Sequence, residues 1–215
     1  MKYTKEYMRL YAVTDRAWLN GRTLAMQVEE ALKGGVTCVQ LREKELSDDD
    51  YLKEAFTIKA LCKKYSVPFF INDNVGIAIK CGADGVHVGQ HDMATSNVRA
   101  KIGEKMILGV SAQTVKQAVE AERNGADYLG VGAVFSTSTK LDADSVSHAT
   151  LRAICDAVSI PVVAIGGIGK SNIMELACTG VDGVALVSAI FASADIGKEC
   201  RELLNLSEKM VKILN

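Results

Sequence analysis

The chain is predicted to be an α/β protein, a single (β/α)8 barrel of the TIM type over residues 1–215. Three observations carry that prediction. Short β-rich runs alternate with longer segments of helical period from end to end. A weak repeat recurs before every second strand: Gly35-Val36-Thr37, Gly82-Ala83-Asp84, Gly125-Ala126-Asp127 and Gly180-Val181-Asp182. No Gly/Pro/Ser-rich linker divides the chain. A doubly wound open sheet is the alternative. The parity of the repeat favours closure, because alternate strands of a barrel fill alternate layers.

In order along the chain, Met8 to Val13 reads as the first strand. Thr23 caps a helix whose Leu24, Val28, Ala31 and Leu32 line one face, and Gly34-Gly35 ends it. Val36 to Val39 leads into the Gln40 strand end. Ser47 and Asp50 form an S-x-x-D capping pattern ahead of Tyr51, Ala55, Ile58 and Cys62. Pro68 to Ile71 is a strand, Asn74 to Cys81 a short helix closed by Gly82, and Gly85 to Val88 the fourth strand. Thr95 to Ile102 is a helix and Met106 to Val110 a strand. Val115, Ala118 and Val119 mark the next helix, then Tyr128 to Val131 a strand. Leu151, Ile154, Cys155 and Val158 are helical, and Pro161 to Ile165 is a strand. Ile173, Leu176 and Ala177 mark a seventh helix. Val184 to Val187 is the eighth strand, and the stripe from Ile196 to Leu214 is the last helix.

Composition narrows the function classes. With 48% hydrophobic and 24% charged residues and a net charge of −1, the chain is ordinary globular material with no basic surface for nucleic acid. Charged residues in the first twenty positions leave no secretory apolar core, and no run is long enough to span a membrane. The six cysteines are scattered without metal-binding spacing, as expected of small core residues in a reducing cytoplasm. A homo-oligomer is compatible with the sequence, though the core does not demand one.

In a barrel the active site lies at the C-terminal strand ends. After strand 2, Gln40, Arg42 and Lys44 share one face by alternation: an amide and two cations, costly to bury unless they face an anion. Asp73 follows strand 3 and Asp92 follows strand 4. Either can cap a helix, yet as a pair beside a cationic strand end they read as ligands of a hard cation, Mg2+. Ser111 ends strand 5 as a hydroxyl donor or a turn residue. The run Ser136-Thr137-Ser138-Thr139-Lys140 after strand 6 reads as a lid whose Lys closes on a polyanion. Gly166-Gly167 after strand 7 and Ser188 after strand 8 occupy the phosphate-binding position common in barrels. The pocket thus has a cationic wall suited to a Mg2+-bound diphosphate and a backbone site suited to a monophosphate. No Ser-His-Asp set exists, and none of His87, His91 and His148 is assigned as a base.

Gln40-Leu41-Arg42-Glu43-Lys44, Ile71-Asn72-Asp73, the run from Asp84 to Asp92, Gly109-Val110-Ser111, Thr137-Ser138-Thr139-Lys140 and Ala164-Ile165-Gly166-Gly167-Ile168 together resemble the thiamine-phosphate synthase family. The resemblance runs in order over nearly the whole chain. It implies a (β/α)8 barrel that joins hydroxymethylpyrimidine diphosphate to thiazole phosphate, with Mg2+, by a dissociative mechanism. It further implies that Arg42, Lys44, Asn72, Ser111 and Lys140 hold the diphosphate and that Asp73 and Asp92 bind Mg2+. Gln40 would contact the pyrimidine, Thr137 and Thr139 would sit in the closing loop, and the backbone of Gly167, Val187 and Ser188 would hold the thiazole phosphate. Related thiazole tautomerases, and a non-catalytic sensor of thiamine phosphates, are the rival readings.

Overall fold

Eight parallel strands pair in sequence order, and the last closes on the first. The structure is a computed structural model that describes residues 5–89, 95–136 and 145–213. The strands are β1 Leu10–Val13, β2 Cys38–Leu41, β3 Phe69–Asn72, β4 Gly85–Val88, β5 Ile107–Ala112, β6 Tyr128–Val131, β7 Val162–Ile165 and β8 Gly183–Leu186. The α-helices are α1 Leu24–Lys33, α2 Asp48–Lys64, α3 Val75–Cys81, α4 Thr95–Ile102, α5 Val115–Arg123, α6 His148–Ala157, α7 Ser188–Phe191 and α8 Ile196–Lys212. This is the expected (β/α)8 barrel.

Local chemistry explains where the helices begin. Thr23 and Ser47 accept from the backbone N–H groups of Met26 and Asp50, as their spacing predicts. Thr114 and Gln117 add a reciprocal capping box that starts α5. Before α3 the capping side chain is Asn74, which accepts from the Ile77 N–H, rather than Asp73.

The Gly-x-Asp repeat has a second role beyond ending helices. Its glycines, Gly35, Gly82, Gly125 and Gly180, all have positive φ. Two residues later the side chain reaches across to the preceding strand. Thr37 Oγ1 accepts from the Leu10 N–H, and Asp84, Asp127 and Asp182 accept from the N–H groups of Phe69, Leu108 and Val162. Each even-numbered strand is therefore stapled to the odd-numbered one before it, at the bottom of the barrel.

Three expectations are corrected. The first strand begins at Leu10, because Lys5–Met8 forms a 3-10 turn whose Met8 plugs the barrel floor. The helix expected around Ile173 is a single 3-10 turn, Ile173–Leu176. It is hemmed in by Ala177 in extended backbone and Cys178 at φ 63°, so no second turn can form. Strand 8 stops at Leu186, and Val187 instead takes the position before the short helix α7, its carbonyl accepting from the Ile190 and Phe191 N–H groups; α7 precedes the long α8.

Two apolar clusters result from strand alternation. The larger lies between strands and helices. The smaller fills the barrel and contains Tyr11, Cys38, Phe70, Tyr128, Val163 and Ala185. Glycines on neighbouring strands make room for its rings: a Cβ at Gly85 would strike Phe70, one at Gly109 would strike Tyr128, and one at Gly130 would come within 2.9 Å of His87. Cys38, Cys62, Cys81 and Cys200 are buried as expected, whereas Cys178 is exposed.

Candidate active site

The barrel interior is not wholly apolar near its upper end. Gln40 is 4% exposed, and its Nε2 donates to Tyr11 Oη at 2.8 Å. Tyr11 Oη lies 2.9 Å from Tyr128 Oη, which lies 2.9 Å from His87 Nδ1. His87 Nε2 is 3.0 Å from Ser111 Oγ. A continuous hydrogen-bonded chain thus crosses the barrel from β2 to β5. Burial, with the adjoining Tyr128 hydroxyl, pushes the Tyr11 pKa well above that of an ordinary phenol, so Tyr11 stays protonated. Inward parity on β1 and β6, combined with the need of a buried tyrosine hydroxyl for a partner, is the signal that could have revealed Tyr11 and Tyr128 in the sequence.

The cationic strand end departs from simple alternation. β2 stops at Leu41, and the Arg42 N–H turns to Thr14 Oγ1 at 3.0 Å. The Arg42 guanidinium lies 3.3 Å from Asp15. Glu43 is drawn inward, its side chain only 3% exposed, by Arg16 at 2.8 and 2.9 Å; Arg16 also reaches Glu54 at 2.7 Å. Burial raises the Glu43 pKa, and Arg16 opposes that rise. Lys44 falls in the bends beyond the strand, so Gln40, Arg42 and Lys44 do not share one strand face as expected. Gln40 lies inside the barrel, while Lys44 lines a cavity of about 800 Å³ together with Asn72, Asp73 and Tyr51.

The end of β3 is built tightly. Tyr51 donates to the carbonyls of Leu41 and Asn72, tying the ends of β2 and β3 together. Asn72 Nδ2 donates to Asp73 Oδ2 at 2.6 Å. The Asp73 N–H donates to the His87 carbonyl at 2.8 Å, and Asp73 itself sits at φ 60°. Its carboxylate is exposed and, with Asn74 as the cap, is not spent on α3.

Gly167, Val187 and Ser188 meet where β7 and β8 end, on neighbouring strands of the sheet. Gly166 and Gly167 have φ of 102° and 65°, and a Cβ at Gly167 would lie 2.9 Å from Phe135 Cβ. Asn172 braces the loop, donating to the Gly167 carbonyl and accepting from the Gly169 N–H. Ser188 opens α7, where first-turn N–H groups have no intrahelical acceptor. Asp92, Thr137, Thr139 and Lys140 lie outside the described residues, as does His91. His148, not assigned as a base, is half-buried at the start of α6 with its ring edge-on to Phe135.

The strand ends therefore gather an amide, cations, a carboxylate and a glycine-dependent turn on one face of the barrel. A family model described as thiamine monophosphate synthase matches residues 10–190. The chain belongs to the thiamine monophosphate synthase family. Within that family it is similar to the thiamine-phosphate synthase of Clostridium tetani, with 50% identity over 90% of this chain and 93% of the relative. The thiamine-phosphate synthase of Alkaliphilus oremlandii is 50% identical over 97% of this chain and all of the relative. Among solved structures, thiamine phosphate pyrophosphorylase from Pyrococcus furiosus superposes with a TM-score of 0.89 at 38% identity, covering 96% of this chain and 98% of that one.

Proposed function

We propose that this member of the thiamine monophosphate synthase family joins 4-amino-5-hydroxymethyl-2-methylpyrimidine diphosphate to 4-methyl-5-(2-phosphoethyl)thiazole, giving thiamine monophosphate and diphosphate. The observation that carries the reading is the convergence of Lys44, Asn72 and Asp73 on one strand-end cavity, with Arg42 in the same β2 loop. The condensation breaks the bond between the methylene carbon and the diphosphate oxygen, and the electron pair leaves with the diphosphate. The thiazole nitrogen lone pair then forms the new carbon–nitrogen bond to a pyrimidine-stabilised carbocation. No proton is transferred in either step, so the chain needs no general base. What it must do is hold and neutralise a polyanion as charge develops on it.

In this reading Arg42, Lys44, Asn72, Ser111 and Lys140 hold the leaving diphosphate. Gln40 contacts the pyrimidine ring, and Thr137 and Thr139 belong to the loop that closes. The backbone at Gly167, Val187 and Ser188 takes the thiazole phosphate. Asp73 suits Mg2+: its carboxylate is exposed, oriented by Asn72 and not used as a helix cap. A magnesium site needs only one or two carboxylates, completed by water and phosphate oxygens. Asp73 and Asp92 would hold the ion, which when bound supplies charge neutralisation to the diphosphate. Cytoplasmic residence is proposed because buried free cysteines such as Cys62, Cys81 and Cys200 suit a reducing compartment. Among the described residues no helix is long and apolar enough to cross a membrane.

Incubation of the protein with both substrates and Mg2+ should release thiamine monophosphate and diphosphate in equal amounts, and a chelator should stop it. A thiazole tautomerase would release no diphosphate, and a sensor would bind without turnover. Either result would overturn the proposal.

A further inference from the structure

The loop after β1 supplies none of the groups assigned to the ligand, yet three consecutive residues in it hold the β2 loop that carries Arg42 and Lys44. Thr14 is fully buried. Its N–H donates to the Gln40 carbonyl at 3.0 Å, and its Oγ1 accepts from the Arg42 N–H at 3.0 Å. Arg16 anchors Glu43, the residue between Arg42 and Lys44, through Nε at 2.8 and 2.9 Å. The backbone on both sides of Leu41 is thus fixed, and so is the residue after Arg42. Asp15 acts on the Arg42 side chain itself. Its Oδ1 accepts from the Ala17 N–H at 2.9 Å, capping the 3-10 turn Arg16–Trp18, and its Oδ2 lies 3.3 Å from Arg42 Nη1. That turn is pinned from below by buried Gln27, whose Nε2 donates to the Trp18 carbonyl at 2.7 Å. With one oxygen tied to an anchored backbone, the other is a fixed post for the guanidinium.

We infer that Asp15 is a positioning residue for Arg42, aiming its guanidinium at the diphosphate. The inference rests on the diphosphate assignment proposed above. Counted as charge alone, Asp15 works against that role, because a carboxylate beside an anion site repels the ligand. Its geometry works the other way. An arginine free to rotate gives up its rotamers on binding, whereas one already held has less to lose. A guanidinium carries five N–H donors in a fixed fork, so holding one Nη1 hydrogen leaves others for phosphate oxygens. The Arg42 and Asp15 side chains are 22% and 20% exposed, so solvent ions screen the pair only in part. Repulsion and positioning have opposite signs, and a substitution at Asp15 separates them.

Calorimetric titration with inorganic diphosphate at saturating Mg2+ reads that sign in wild type, Asp15→Asn, Arg42→Ala and the double variant. Asparagine keeps an oxygen for the Ala17 N–H and removes the charge. Positioning predicts that Asp15→Asn weakens diphosphate binding by about tenfold, the effect of losing one hydrogen bond to a charged group. In the Arg42→Ala background there is no guanidinium to hold, and the same substitution should leave the affinity unchanged or tighten it. Tighter binding by Asp15→Asn alone would reduce the carboxylate to a repulsive charge and overturn the inference. Equal losses in both backgrounds, the mark of a general structural effect, would overturn it too, as would no change in either. If Asp15→Asn fails to fold, Asp15→Ser takes its place, because serine also caps helix N-termini. A wild type that binds no diphosphate would overturn the diphosphate assignment and this inference together. A wild type that binds diphosphate and yields no thiamine phosphate would count against the proposed reaction alone, and the sign of the Asp15 substitution would still decide the role of Asp15.

Discussion

Adjacent residues at the end of β3 should show opposite effects on stability and activity. Asp73 holds left-handed backbone at φ 60°, and its side chain is bonded to Asn72. Asn74 caps α3 through a 2.9 Å bond from the Ile77 N–H. Replacing Asp73 with Gly relieves about 1 kcal/mol of backbone strain. It also removes a hydrogen bond of about 1 kcal/mol, so the melting temperature should move by no more than a few degrees. Loss of a metal ligand, worth several kcal/mol in the transition state, should lower turnover by about a hundredfold or more. Asn74→Ala should do the reverse. A lost N-cap costs about 1 kcal/mol, or roughly 2–4 °C in a chain of this size, with turnover near wild type. Thermal melts and steady-state rates at saturating Mg2+ measure both. Asp73→Gly retaining half the wild-type rate would refute the metal assignment. An inactive Asn74→Ala that melts normally would show that the cap and the ligand had been exchanged.

Arg42→Ala and Lys140→Ala should each reduce turnover by about a hundredfold, the usual effect of removing one charge-stabilising contact, and unchanged steady-state rates in both would sink the diphosphate assignment. Asp84→Ala should cost about 1–3 kcal/mol in denaturant unfolding, because the Phe69 N–H loses its side-chain acceptor; an unchanged midpoint would mean that the staple is dispensable. Glu43 binds its proton more tightly folded than unfolded. Its contribution to stability is therefore present below the ordinary carboxylate pKa and is lost as pH rises through the raised folded value. Removing Arg16, which opposes that rise, should thus destabilise the fold more at pH 7 than at pH 4, and equal losses in melting temperature at the two would contradict the pairing.

The barrel was legible because its signals are local and repeated. Gly-x-Asp marks a helix end and a strand start together, and the sequence repeats it at the same place before even strands. The structure adds why the third position is Asp or Thr: it must accept from the neighbouring strand's first amides. Signals that depend on chain length rather than composition were less legible. Ile173, Leu176 and Ala177 have helical spacing, yet Cys178 in left-handed backbone leaves space for a single 3-10 turn.

At the site, residue types were readable but orientation was not. Alternation holds only while the ladder holds, and β2 ends at Leu41. Beyond that point Glu43 turns inward to Arg16 and Lys44 moves to the Asn72–Asp73 cavity, outcomes set by partners distant in sequence. The polar interior was hidden for the same reason. Tyr11 and Tyr128 are separated by 117 residues, and either alone reads as an aromatic core residue. Only closure of the barrel brings their hydroxyls together between Gln40 and His87. A glutamine that the sequence places at the tip of a cationic strand is thereby joined to a serine on the far side of the barrel. For this fold, the strand ends carry the groups proposed to meet the ligand, and the barrel interior holds one of them, Gln40, through the Tyr11 hydroxyl at 2.8 Å.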